Sequence, residues 1–267
     1  MKAIEAIIFD WAGTTVDHGS LAPVKAVTEV FARHGVRISE DDARRDMGLF
    51  KKDHIRRILA TQHVDLAWTM CYRKPPDERD VEALFSDFAP LQMDILEQHS
   101  DVIGGVADAV ARLRERGIKI GATTGYTRPM MEKIVRRAAA QGYAPDLSLC
   151  PDDVPGGRPH PWMCLRIAIE LRFTSMAAGV KVGDTPSDIQ EGLNAGMWAV
   201  GISRTGNEVG LSAGDLAALP EAERVRRVQS ASETLTKAGA HYVVESVGML
   251  EPALDRINQR LSAGERP

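Results

Sequence analysis

Asp10 closes the largely apolar run Ala3-Ile4-Glu5-Ala6-Ile7-Ile8-Phe9 and opens Asp10-Trp11-Ala12-Gly13-Thr14-Thr15. Apolar runs of this length read as buried strands, and open parallel sheets bind ligands beyond the carboxyl ends of their strands. A carboxylate at such an end, followed at once by glycine and hydroxyls, is placed for catalysis. Its alternative use is to cap a following helix. Two later segments share the pattern. One strand-like run from Gly117 leads into Thr123-Thr124-Gly125-Tyr126-Thr127, and another from Gly179 leads into Gly183-Asp184-Thr185-Pro186-Ser187-Asp188. Each alone is compatible with helix capping. If the three strands share one parallel sheet, a carboxylate, a hydroxyl and an acidic pair converge at its edge.

This combination resembles the haloacid dehalogenase superfamily, whose fingerprint is an Asp nucleophile, a Ser/Thr, a Lys/Arg and a terminal acidic pair. Arg158, in Gly157-Arg158-Pro159-His160-Pro161, would supply the cationic element. As a nucleophile, Asp10 requires an electrophile that tolerates a carboxylate, usually phosphorus. A cation must then offset the repulsion between carboxylate and phosphoryl group. The Asp10 and Asp184 side chains and the backbone carbonyl of Ala12 form a hard oxygen set suited to Mg²⁺. Thr124, the Gly125 amide and Arg158 are expected to hold phosphoryl oxygens. Asp188 is either a further Mg²⁺ ligand, a brace for the cationic element, or a first-turn acid favoured by the helix dipole.

Residue 12 departs from the usual phosphatase pattern. Asp-x-Asp phosphatases of this superfamily use their second Asp to protonate the leaving alkoxide, and here that position is Ala12. No side chain there can act as a general acid. A second segment, Met47-Gly48-Leu49-Phe50-Lys51-Lys52-Asp53-His54-Ile55, offers an explanation. At about 100° per residue, Met47, Phe50, Lys51, His54, Ile55 and Ile58 fall on one helical face. Lys51 lies in that mainly apolar stripe, while Lys52 points away from it. Such a lysine either snorkels to water or, if desolvated, becomes a nucleophilic amine. His54 reads either as a hydrogen-bonded core histidine or as a partner in that chemistry.

A lysine that condenses with an aldehyde gives an iminium, an electron sink for the adjacent carbon–phosphorus bond. Asp10 can then attack phosphorus while the electrons flow into an enamine, and no alkoxide leaves. These features resemble the phosphonoacetaldehyde hydrolases (phosphonatases). The resemblance runs along nearly the whole chain, on Ile8 to Asp17, Met47 to Lys51, Thr123 to Thr127, Pro151 to Pro155, Gly157 to Pro159 and Val182 to Thr185. It implies Asp10 as nucleophile, Lys51 as Schiff-base lysine, Mg²⁺ on Asp10, Ala12 and Asp184, a homodimer, and a place in 2-aminoethylphosphonate degradation. Met47, His54, Tyr126 and Asp188 would support the site, with His54 and Tyr126 as candidate proton shuttles. The competing readings are a phosphomonoesterase or phosphomutase of the same superfamily, and a catalytically silent binding protein.

The elements that must position these groups alternate strand and helix after residue 100. Strands are expected over 118–123, 179–182, 199–202 and 241–244, with helices starting near Val106, Thr127, Pro161 and Pro186. That alternation predicts a Rossmann-like, doubly wound parallel α/β sheet. Residues 20–99 show helical periodicity, a Ser39/Asp42 capping box and a Lys74-Pro75-Pro76 break, but no strand. The expected organisation is therefore a core of residues 1–19 and 100–267 with a helical cap, 20–99, inserted beside the active site.

With 267 residues, 26% charged and a net charge of −4 in interspersed signs, the chain shows no basic stripe for nucleic acid. Its apolar runs are too short for a membrane span. Cys71, Cys150 and Cys164 lack zinc-type spacing. Together with Glu5 interrupting any signal-like segment, this leads us to expect a cytoplasmic globular protein.

Overall fold

The apolar runs form strands where both faces can be buried, and the amphipathic segments form helices that cover them. The computed structural model describes residues 3–267. Strand β1 (Ala6–Phe9) is followed by α1 (Leu21–Arg33), α2 (Glu40–Arg44), α3 (Lys51–Leu59), α4 (Gln62–Tyr72) and α5 (Glu78–Leu96). The chain then runs through α6 (Val106–Glu115), β2 (Lys119–Thr123), α7 (Arg128–Ala140), β3 (Leu147–Leu149), α8 (Trp162–Glu170) and β4 (Gly179–Gly183). It ends with α9 (Pro186–Asn194), β5 (Trp198–Ile202), α10 (Ala213–Ala218), α11 (Glu221–Lys237), β6 (Tyr242–Val244) and α12 (Glu251–Ser262). No helix among the described residues is long and apolar enough to cross a membrane.

The six strands are parallel, in the order β3-β2-β1-β4-β5-β6. This is the doubly wound α/β sheet expected from the sequence. From β1 the chain winds outward to β2 and β3, then returns to the other side of β1 as β4. Such a reversal leaves a crevice beyond the carboxyl ends of the central strands. Phe9 is in register with Ala122 on one side and Val182 on the other. The residues just past these positions are therefore neighbours at the sheet edge.

β3 was not expected, because a three-residue Leu-Ser-Leu edge strand carries too little pattern to separate it from a loop. The expected helical face from Met47 to Ile58 is also corrected. The helix begins only at Lys51, and Met47 and Phe50 precede it. Gly48 sits at φ +90°, which ends any continuous helix there, and a Cβ on it would lie 2.5 Å from Thr185 Oγ1. Residues 47–50 therefore form a tight turn pressed against the sheet edge.

Between β1 and β2, α1 and α3 pack on α5 around Val27, Phe31, Ile55, Ile58 and Phe88, all essentially inaccessible. Each such side chain contributes about 1.5–3 kcal/mol of burial. The Ser39/Asp42 capping box forms at the start of α2, and the Lys74-Pro75-Pro76 break separates α4 from α5.

Inside β4, Lys181 is fully buried and in register with Ile8. Its ammonium meets Asp188 Oδ1 at 2.8 Å and Glu191 Oε2 at 3.3 Å, both from α9. Removing one partner of a buried ion pair leaves uncompensated charge, which typically costs about 3–5 kcal/mol. Lys181→Met is therefore expected to lower the unfolding free energy in urea by about that amount. Adding Glu191→Gln should recover part of the loss, and an additive double variant would show that the two groups are not energetically paired.

Candidate active site

Three strand ends build the base of the site. Asp10 follows β1, Thr124 follows β2 and Asp184 follows β4. Arg158 arrives from the loop between β3 and α8, and Asp188 from the first turn of α9. Among the described residues, Asp10, Asp184 and Asp188 each offer a carboxylate oxygen within 4.8 Å of the others, all buried. Arg158 Nη2 lies 2.7 Å from Asp10 Oδ1, its Nη1 2.8 Å from Asp188 Oδ1, and its Nε 2.9 Å from Glu191 Oε2. One guanidinium thus orients three carboxylates, using the fixed fork that lysine lacks.

The sequence reading assigned no role to Lys181, Glu191 or Thr123, which complete this layer. Thr123 Oγ1 donates to Glu191 Oε2 at 2.9 Å and accepts from Arg158 Nη2 at 2.8 Å. A lysine inside an otherwise apolar strand was the one available signal. Asp188 accepts Arg158 and Lys181 on Oδ1, and the Thr185 hydroxyl and amide on Oδ2. With both oxygens engaged, Asp188 both caps α9 and braces the cations. Asp184 is held by the Thr14 hydroxyl at 2.8 Å and the Asn207 amide at 2.8 Å. Gly13, at φ +86°, lets the backbone pass so close that a Cβ would sit 2.3 Å from Asp184 Oδ2.

The electrostatics leave excess negative charge. Burial raises Asp10 above the usual carboxylate range, and Asp188 adds to this against Arg158 and Lys181. Burial, Asp10 and Asp188 together push Asp184 well above that range. Burial also works against ionisation of Asp188, but Arg158 and Lys181 outweigh it and hold its carboxyl low. Four carboxyl groups therefore face two permanent cations, Arg158 and Lys181. A divalent ion bound by Asp10 and Asp184 would restore neutrality without any charge on Lys51, so the donor set fits a hard cation such as Mg²⁺.

The opposite wall comes from the helical insertion. A cavity of about 20 Å³ is lined on the sheet side by Asp10, Ala12, Thr124, Tyr126 and Arg158 and on the other by Met47, Gly48 and Lys51. Lys51 is only 2% exposed and so does not snorkel to water. Its Nζ meets Met47 Sδ at 3.2 Å and lies 5.8 Å from the centre of the Tyr126 ring. Burial lowers its pKa to about 8, Arg158 adding to the effect and Asp10 opposing it. Lys52 points outward and pairs with Glu82.

His54 is fully buried one turn after Lys51, and its ring nitrogens have no well-formed hydrogen bond among the described residues. The Ala43 backbone lies near enough to act on the ring. Burial, then the Lys51 charge, pushes the imidazole well below its ordinary pKa, so it stays neutral. The Tyr126 hydroxyl likewise lacks a partner. Burial and the surrounding carboxylates push its pKa well up, keeping it a neutral donor.

Residues 4–196 match the haloacid dehalogenase-like hydrolase family. The chain is 45% identical over 264 residues to a phosphonoacetaldehyde hydrolase of Syntrophobacter fumaroxidans, covering 99% of this chain and 95% of that protein. A phosphonoacetaldehyde hydrolase-like protein from Oleispira antarctica, known from a crystal structure, superposes with a TM-score of 0.97 at 43% identity, covering 99% of this chain and 96% of that one. A β-phosphoglucomutase from Clostridium difficile, at 17% identity and a TM-score of 0.68 over 97% of this chain and 99% of its own, shares the fold alone.

The two walls meet at Gly125, where a Cβ would lie 2.5 Å from Leu49 O and 2.9 Å from Gly48 O. Gly125→Ala is therefore expected to push the 47–50 turn off the sheet edge. Turnover should fall about a hundredfold, the scale of a 1 Å misplacement, with little change in melting temperature. Undiminished turnover would show that this close approach does not set the geometry.

Proposed function

Because the chain belongs to the haloacid dehalogenase-like hydrolases, and near-full-length relatives carry the name phosphonoacetaldehyde hydrolase, we propose that it cleaves the carbon–phosphorus bond of phosphonoacetaldehyde to give acetaldehyde and phosphate. The observation that carries this reading is Lys51. It is a buried amine with a pKa lowered to about 8, lining the same cavity as Asp10, with Ala12 where a leaving-group acid would otherwise stand.

In this reading Lys51 condenses with the aldehyde carbon, releasing water and leaving an iminium. Asp10 Oδ attacks phosphorus, the carbon–phosphorus bond breaks, and its electron pair moves into the enamine. Water then hydrolyses the aspartyl phosphate, while protonation of the enamine carbon gives a second iminium that another water hydrolyses to acetaldehyde and the free Lys51 amine. Arg158 holds Asp10 with one oxygen fixed and the other free to attack. Thr124, the Gly125 amide and Arg158 face the phosphoryl group. Neutral His54 and Tyr126, both buried near Lys51, are suited to deliver protons to the carbonyl oxygen that leaves as water and to the enamine carbon released from phosphorus. The Asp10 and Asp184 carboxylates and the Ala12 carbonyl would hold Mg²⁺, which when bound neutralises the carboxylate cluster and the phosphoryl oxygens.

A phosphomonoesterase reading leaves both the buried lysine and Ala12 without a role. Residues 20–99 serve, in this proposal, as a cap that carries the lysine, and the protein works as a homodimer.

Incubation with phosphonoacetaldehyde and Mg²⁺ is expected to release acetaldehyde and phosphate in equal amounts, and Asp10→Asn should abolish both. Phosphate without acetaldehyde, or activity confined to phosphate esters, would favour the phosphatase reading. The amine must be neutral to attack. The rate at limiting substrate should therefore rise about tenfold per pH unit below about 8 and level off above it, the value to which Lys51 is lowered. Lys51→Arg keeps the charge but has no nucleophilic amine, so it should be inactive across that range.

A further inference from the structure

The 203–210 loop after β5 touches the turn after β1, Asp184 and the end of α2. Thr205 Oγ1 donates to Gly13 O at 2.8 Å, and its carbonyl accepts the Gly19 amide at 2.7 Å. Gly19 lies in the segment leading from β1 into the helical insertion. The Asn207 amide donates to Asp184 Oδ2 at 2.8 Å, and Asn207 is itself buried.

Arg44, the last residue of α2, closes over this loop. Its Nη1 reaches Gly19 O at 2.9 Å and Asn207 Oδ1 at 3.3 Å, and its Nη2 reaches Gly210 O at 3.0 Å. In return, Asn207 Nδ2 donates to Arg44 O at 3.1 Å. That same carbonyl accepts the Met47 amide at 3.1 Å, anchoring the turn that presents Gly48 and Lys51. Gly210, at φ +68°, is the residue on which the guanidinium rests, since a Cβ there would meet Arg44 Cζ at 2.7 Å. Its one carboxylate partner, exposed Glu40 one turn earlier, lies farther off at 3.8 Å, so the short contacts that place the guanidinium are to carbonyl and amide oxygens of the loop and of Gly19.

We infer that Arg44 and Asn207 are positioning residues forming a latch that couples closure of the helical insertion, and hence delivery of Lys51, to the orientation of Asp184. The physical basis is that one amide group binds both ways. The Asn207 side chain exchanges hydrogen bonds in both directions with Arg44, its Nδ2 being shared with Glu208 Oε1 at 3.0 Å, while its backbone N–H sits on the Asp184 carboxylate. The cavity of about 20 Å³ has room for little more than one water-sized sphere, so in this arrangement the helical insertion lies close over Asp10. The inference rests on the proposed site, but it makes a claim about closure that is measurable without the aldehyde.

The test compares Arg44→Ala, Arg44→Lys, Asn207→Ala and the Arg44→Ala/Asn207→Ala double variant with the parent protein. Amide hydrogen exchange is followed with and without Mg²⁺ and inorganic phosphate, alongside calorimetric Mg²⁺ titration and kcat/KM. Exchange at residues 47–50 is expected to rise about tenfold in both alanine variants, with Mg²⁺ affinity and kcat/KM falling by a similar factor, typical of coupling between sites. The double variant should lose no more than the worse single variant, because the two residues act as one unit. Arg44→Lys should recover part of the loss, since one ammonium can meet some of the carbonyls. A purely structural role would lower the melting temperature while leaving Mg²⁺ affinity and kcat/KM of the folded fraction unchanged. That result, or additive losses in the double variant, would overturn the latch. If Arg44→Ala fails to fold, Asn207→Ala carries the test alone. Altered exchange and Mg²⁺ affinity without any cleavage of phosphonoacetaldehyde would retain the latch and reject the proposed reaction.

Discussion

The site depends on the buried contact between Arg158 and the carboxylates of Asp10, Asp188 and Glu191. A carboxylate inside a protein normally escapes the cost of desolvation by taking up a proton. A protonated Asp10 could not serve in the nucleophilic role proposed for it. Arg158 and Lys181 counter that tendency from below the sheet edge, and Glu191 and Asp188 hold the two cations without drawing them away from Asp10. The central strands β1 and β4 can carry this charge only because α9 supplies partners for Lys181 inside the sheet's covering layer.

This network sets the electrostatics of the opposite wall as well. Lys51 is desolvated by the closed turn, pushed down by Arg158 and pulled up by Asp10, and the balance falls at about 8. The amine is thus near the working range of an imine-forming lysine rather than permanently charged. Closure is therefore chemical as well as steric. Opening the 47–50 turn would rehydrate Lys51 and return its pKa toward the ordinary range.

The sequence made some of this legible and hid the rest for identifiable reasons. Asp10, Thr124 and Asp184 could be found because strand ends and hydroxyl-rich turns are local patterns, and a parallel sheet must bring them together. Lys51 was visible as a cation on an apolar face, although the continuous helix behind that reading is broken at Gly48. The backbone there responds to Thr185, more than a hundred residues away, so no local propensity could reveal it. Glu191, Thr123, Arg44 and Asn207 are ordinary polar residues in helices, a strand end and a loop. Their roles arise from partners distant in sequence, and single-chain periodicity carries no trace of such pairings. The sheet order was predictable in kind but its edge strand β3 was not, because Leu147–Leu149 is too short to show alternation.

The central claim is that the amine of Lys51 becomes covalently bound to the substrate carbonyl carbon. Borohydride added during turnover of phosphonoacetaldehyde tests it most directly, since it reduces an imine or iminium to a stable secondary amine. The account predicts progressive, substrate-dependent inactivation, with a two-carbon adduct mapped by peptide mass spectrometry to Lys51 and absent from Lys52, which faces outward to Glu82. Inactivation without an adduct on Lys51, an adduct on Lys52, or undiminished activity under borohydride would contradict it.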